Sequence, residues 1–247
     1  MTALVDRHLE VQCRNGTLDL VKWLAMLTMA LDHLRYVWPE LSGLFVPGRI
    51  AYPFFCLAIA ANVARSNVGD LFTSQNARYL GWLLVFAALS EVPYRIYSDH
   101  SASLNVLPTL ALGLVIAWGV HHRTLPGAVM ASAAAVLAYM LSAPLMYGFI
   151  GALIPAALLL AIKQPGWLWL LPAVLCVLIN SRSHLLTGVA ELQLYPLLLL
   201  TTPFAAPILG LWLLRQQANF SVWPVKRWGY LFYPGHLMAL HLLRAVV

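Results

Sequence analysis

Charged side chains are scarce in this sequence. Asp, Glu, Lys and Arg make up only 10% of the 247 residues, against about 25% in an ordinary soluble domain. The few that occur are scattered between apolar runs, so no stretch can form a separate polar domain. Cysteine is scarce too. Cys13, Cys56 and Cys176 form an odd, scattered set with no CxxC spacing, which implies neither a disulfide framework nor a zinc site. Several catalytic signatures are missing: a GxSxG serine-hydrolase elbow, a GxxxxGKS/T phosphate loop, an HEXXH zinc motif and an HxxxxD acyltransferase motif. Internal repeats, low-complexity segments and heptad seams are also lacking. The start, MTALVDRHLEVQCRNG, has no continuous apolar core of the signal-peptide kind, so the first hydrophobic helix is expected to be retained.

What is present is hydrophobicity. Apolar residues make up 61% of the chain and the mean hydropathy is +0.77. A single polytopic membrane domain over 1–247 is expected, with 1–16 as a short cytoplasmic segment. Runs long enough for about 30 Å of hydrocarbon lie at roughly 17–37, 44–64, 78–97, 102–120, 125–143, 144–162, 167–180, 189–214 and 228–247. Only a break at Ala143-Pro144 separates the fifth from the sixth. The eighth contains Pro196, Pro203 and Pro207, and proline breaks or kinks helices. The expected fold is therefore all-α and polytopic, with about nine transmembrane helices in a range of eight to ten.

Lys and Arg set the orientation. With a cytoplasmic N-terminus, the inner side holds Arg7, Arg14, Arg65, Arg78, Arg123, Lys163, Arg215, Lys226 and Arg227. The outer side holds Arg35, Arg49, Arg95, Arg182 and Arg244. That imbalance favours N-in and C-out. The net charge of +6 is then an orientation signal, with no nucleic-acid partner implied. Trp residues gather near span ends, as interfacial belts do.

Ionisable residues inside spans are the exceptions that need a reason, because each costs several kcal/mol in hydrocarbon. The first helix, LDLVKWLAMLTMALDHLRYVW, carries Asp19, Lys22, Asp32, His33 and Arg35. At about 100° per residue, Lys22 and His33 share a stripe to within roughly 20°, about 16 Å apart along the axis. Met26 and Met29 lie between them, where packing alone accounts for them. The bland reading of Lys22 and His33 is two side chains snorkelling to opposite interfaces. Asp32 points about 100° away from His33, so the two cannot pair well within the helix. By depth, the outer half gathers His33, Arg49, Glu91, Asn105, Tyr147 and Glu191. The inner rim gathers Asp19, Lys22, Arg65, Arg78, Arg123, Lys226 and Arg227. His236 falls near the middle of the last span. His121 and His122 read as a solvated loop pair, and no metal site is expected. Two polar clusters at different depths suggest a reaction with one reagent on each side.

The segments DLVKWLAMLTMALDH (19–33), GRIAYPFFCLAIAANVAR (48–65), NVLPTLALGL (105–114), YGFIG (147–151) and FYPGHLMAL (232–240) together resemble the TraX family. Its members are membrane acetylases of the F-type pilin N-terminus. More distantly, Lys22 with His33 resembles the R/K-x10-H pattern of acyltransferase-3 membrane enzymes, and VPGRIAYPFF (46–55) resembles that family's Pro-Phe-Phe segment. The resemblance implies a bacterial inner-membrane, multi-pass acetyltransferase that takes acetyl from cytoplasmic acetyl-CoA and carries it to a pilin-like protein substrate. Read with it, Asp19, Lys22, Arg65, Arg78 and Arg227 are candidates for holding the coenzyme. His33, Glu91 and Asp32 are candidates for the catalytic set, with His33 as general base or transiently acetylated nucleophile. Arg49, Asn105, His236 and Tyr147 are candidates for the oxyanion or acceptor. An envelope glycan hydroxyl is the alternative acceptor. A proton-coupled transporter relaying protons through His33, Glu91 and Glu191 is the alternative of another class, although its usual paired repeats are missing.

Overall fold

The computed structural model describes residues 16–98, 102–181, 183–216 and 221–246. The expected cytoplasmic segment before Gly16, with Arg7, Cys13 and Arg14, lies outside them, as does Arg182. The described residues are helical, with no strand among them. Helix α1 (Gly16–Leu34) is followed by a 3-10 turn (Pro39–Leu44), a single turn α2 (Phe45–Gly48) and α3 (Ala51–Ala64). Then come α4 (Ser74–Tyr97), α5 (Val106–His122), α6 (Leu125–Met140) and α7 (Gly148–Lys163). A 3-10 turn (Trp167–Trp169) leads into α8 (Leu170–Asn180), followed by α9 (Ser183–Ala190), α10 (Leu194–Arg215) and α11 (Trp228–Val246).

Local chemistry fixes many of these boundaries. Thr73, Asn105 and Thr124 cap α4, α5 and α6, their side-chain oxygens accepting from the amides of Asn76, Leu107 and Gly127. Each cap satisfies an amide left open by the first turn. The fifth and sixth apolar runs are two helices, separated by a turn around Pro144 whose carbonyl accepts from the Leu104 amide at 2.7 Å. Gly148 starts α7 at φ +59°, a left-handed backbone that glycine adopts without strain. The eighth run departs from expectation in two ways. Its start is set off in α9 by a turn at Leu192, and α10 continues unbroken through Pro203 and Pro207. Prolines are tolerated in helices of membrane proteins because neighbouring groups re-satisfy the freed carbonyls.

Helix α3 is the central element. It is buried on nearly every side, as expected of a helix that is apolar all round, and packs against α1, α5, α7 and α10. Close approach is built with small residues. A Cβ on Gly48 would lie 2.5 Å from the Cβ of Asp32, and one on Gly119 would lie 2.3 Å from the Cβ of Ala131. The outward faces are apolar instead of polar: Leu84, Val85, Leu89 and Val92 on α4, and Val129, Val136 and Leu137 on α6, are exposed. Apolar patches this extensive mark contact with lipid or with another chain. Two helical stretches, Pro39–Ala64 and Leu194–Arg215, are long and apolar enough to cross a membrane by length and composition.

One expectation is overturned. His121 and His122 are not solvated; they are 1% and 2% exposed. The segment after α3 folds over the end of α5, and His121 Nε2 donates to the Ser66 carbonyl at 2.9 Å.

Candidate functional site

The packing of α4 on α11, and of α11 on α1, brings the last helix against the first. One end of the bundle then collects the start of α1, the end of α3, the start of α4, the end of α5 and the approach to α11. Between them opens a cavity of about 810 Å³.

At this end the cavity wall carries Lys22, Arg65, Lys226 and Arg227 and one carboxylate, Asp70, together with the polar side chains of Asn62, Asn67, Thr73 and Asn76. Further in, the wall becomes apolar and aromatic, with Met26, Met29, Ile59, Leu110, Tyr230, Phe232 and Tyr233. Asp19 serves this mouth indirectly. It is 2% exposed, and its Oδ1 accepts from Lys22 Nζ at 3.1 Å and from the Val225 amide at 3.2 Å. It therefore holds Lys22 and ties α1 to the segment that enters α11. Arg65 donates to the Ala61 carbonyl and to Asn62 Oδ1. Arg78 falls elsewhere: it is not among the residues lining the cavity, and it bonds back to the Ser74 carbonyl.

The inner end of the cavity reaches Met29 and Phe232. Each stands four residues before a histidine on its own helix, one turn away. Those histidines meet. His33 Nδ1 lies 2.8 Å from His236 Nε2, and His236 Nδ1 lies 2.8 Å from the Phe232 carbonyl oxygen. The Tyr97 hydroxyl donates to the His33 carbonyl, and its ring meets the His33 ring edge-on at 5.7 Å. Neither histidine lines the cavity itself, so the imidazole pair stands one helical turn beyond the apolar end of a cavity whose opposite mouth carries cationic side chains.

The other candidates near this end have different partners. Glu91 does not orient His33. Its Oε1 accepts from Arg95 Nε at 2.7 Å, and its Oε2 accepts from the amide and side chain of Asn105 at 3.1 and 2.7 Å. Asn105, 0% exposed, also donates to the Ala87 carbonyl while capping α5. Asp32 Oδ1 accepts from Arg35 Nε at 3.0 Å, and its Oδ2 lies 3.6 Å from Arg49. Arg49 also donates to Asn180 Oδ1 and stacks over Phe45. Tyr147 stacks on Tyr52 with ring centres 3.9 Å apart. Glu191 is exposed and accepts from Gln193. Among the described residues, no three or more His, Cys, Asp or Glu are grouped so as to hold a metal ion.

The model of the TraX protein family matches residues 17–244, nearly the whole chain. The chain belongs to the TraX family. A similar relative is an uncharacterized protein of Rickettsia prowazekii, 27% identical over 96 residues. That match covers 38% of this chain and 34% of the relative, so the chain spans about a third of that protein's length. No solved structure matches. Within this TraX-family chain the histidine pair joins the first and last of the segments that carried the resemblance, one on α1 and one on α11.

Sequence reasoning had no view of the aromatic wall. Tyr230, Phe232 and Tyr233 carry one available signal, since they precede His236 on one helix by six, four and three residues, and spacings of three and four fall on a single face.

Proposed function

We propose that this chain is a multi-pass inner-membrane acetyltransferase that moves acetyl from cytoplasmic acetyl-CoA to the N-terminal amine of a pilin-like subunit. The observation that carries this reading is the cavity joining a cationic mouth to the neighbourhood of His33. Coenzyme A is long, flexible and polyanionic at one end. Its phosphates suit the charge of Lys22, Arg65, Lys226 and Arg227 through charge-assisted contacts. Its pantetheine arm suits the apolar wall past Met26 and Met29. The thioester then arrives near His33, about 16 Å from Lys22 along the helix axis.

In the reaction, the acceptor's neutral amine nitrogen attacks the thioester carbonyl carbon while His33 takes the proton that nitrogen sheds. The tetrahedral intermediate collapses, the C–S bond breaks, and the coenzyme thiolate recovers that proton from His33. The amide and free coenzyme A are the products. Family membership and the resemblance support pilin as the acceptor class. In this reading the chain crosses nine times with N-in and C-out, so that the cationic mouth faces the cytoplasm, where acetyl-CoA is found, and His33 lies toward the acceptor. The sidedness of transfer across a membrane vesicle tests that orientation.

Lys22 provides the test of the donor site. A hydrogen bond to a charged group contributes about 1.5–3 kcal/mol, so Lys22→Ala should raise KM for acetyl-CoA about tenfold or more and leave KM for the acceptor unchanged. Added salt should weaken coenzyme binding to the wild type more than to the variant. Steady-state kinetics at two ionic strengths checks this. An unchanged KM for acetyl-CoA would leave Lys22 with a structural role, tied to Asp19 and to the Val225 carbonyl.

A further inference from the structure

The two imidazoles are arranged so that their protons can be placed. The Phe232 carbonyl can only accept, so His236 Nδ1, 2.8 Å away, must carry a hydrogen. A neutral His236 then presents its lone pair on Nε2. His33 Nδ1 stands 2.8 Å from that atom, so it must be the donor. The ring planes differ by 13°, and the facing nitrogens are closer together than two stacked rings can approach. The rings therefore meet edge to edge, and the bond runs along the direction of the lone pair.

Resting on the acetyltransferase reading, we infer that His236 is a positioning residue. It fixes His33 as the Nδ1–H tautomer and leaves His33 Nε2 as the bare nitrogen that accepts the acceptor's proton. When Nε2 is protonated, the imidazolium of His33 donates its Nδ1–H to neutral His236 Nε2, which shares the charge. No proton is created or lost in the exchange; it returns from Nε2 to the departing thiolate. A carboxylate often fills this orienting role in catalytic histidine systems. Here both nearby carboxylates are engaged, Asp32 with Arg35 and Arg49 and Glu91 with Arg95 and Asn105. A neutral imidazole also avoids the cost of a second buried charge.

The test is nitrogen-15 NMR of the full chain in lipid nanodiscs with labelled histidine, the His33 signals being assigned by their loss in His33→Gln. The expected spectrum has His33 protonated on Nδ1 and bare on Nε2, and His236 protonated on Nδ1. In His236→Phe, which keeps a planar ring and removes the acceptor, the Nε2–H form of His33 should appear. Its kcat should fall roughly 10- to 100-fold, by analogy with the cost of losing the partner that orients a metal-bound histidine, with KM for acetyl-CoA unchanged. His236→Gln, whose Oε1 can accept the same hydrogen, should recover most of that loss. A wild-type His33 protonated on Nε2 overturns the inference, as does a His236→Phe protein that keeps both the tautomer and kcat. The NMR result needs no turnover. Absence of acetyl transfer by the wild type would therefore sink the acetyltransferase reading while the tautomer is decided separately.

Discussion

His33→Gln is expected to lower kcat for acetyl transfer by about 10²- to 10⁴-fold, the usual contribution of one general base. Glutamine fills similar space but cannot take a proton, so the change removes the chemistry while preserving the packing against Tyr97. The protein should still insert, stay monodisperse in detergent and bind coenzyme A with unchanged affinity, because the cationic mouth lies at the far end of the passage. Single-turnover kinetics with labelled acetyl-CoA, alongside an equilibrium binding measurement, separates the two effects. Near-wild-type turnover in His33→Gln would remove His33 from the chemistry. An equal loss of coenzyme binding would make it a structural residue.

Asn105→Ala should act in the opposite manner, lowering stability with little change in chemistry. Asn105 is fully buried, caps α5, donates to the Ala87 carbonyl and pairs with Glu91. Removing its side chain leaves the Leu107 amide without its cap, takes one donor from the Ala87 carbonyl, and leaves Glu91 Oε2 with only the backbone amide of residue 105. The sum of a lost cap and unsatisfied buried groups is about 2–4 kcal/mol. The expected result is a clearly lower Tm, with kcat within a few-fold of wild type at a temperature where the variant is folded. An oxyanion donor would behave differently, costing about 10²–10³ in kcat at unchanged Tm. A thermal melt and one rate assay distinguish the two.

These residues also show what a sequence can and cannot disclose. Apolar runs reveal helices because one helix's burial pattern is local, and each run expected here falls on helical structure. The shared stripe of Lys22 and His33 is legible for the same reason: it needs only the geometry of one helix. Met26 and Met29, read as packing from their position, also line the cavity. Partner choice is not local. His33 and His236 are 203 positions apart, and depth alone grouped Glu91 with His33 in the outer half while setting His236 apart near the middle of the last span. Depth gives one coordinate, whereas pairing depends on which helices touch and on the direction each side chain leaves its helix. The Pro144 turn and the unbroken α10 differ by tertiary context, since the same residue ends one helix and is carried inside another. Adjacent histidines at a helix end read as solvated until the segment 65–73 is seen to cover them.

The central claim is that a coenzyme-bound acetyl group enters from one side of the membrane and leaves on an amine at the other. Inverted inner-membrane vesicles expose the cytoplasmic face, and acetyl-CoA, with its charged phosphates, does not cross the bilayer unaided. Vesicles carrying the wild-type chain, the His33→Gln chain or neither would be loaded with a peptide bearing a pilin-like N-terminus. Acetyl-CoA would then be added outside, and the peptide recovered for mass spectrometry. The predicted result is N-terminal acetylation of the trapped peptide by the wild-type chain alone. No acetylation above vesicles lacking the chain, or acetylation only when peptide and acetyl-CoA share one side, would contradict it.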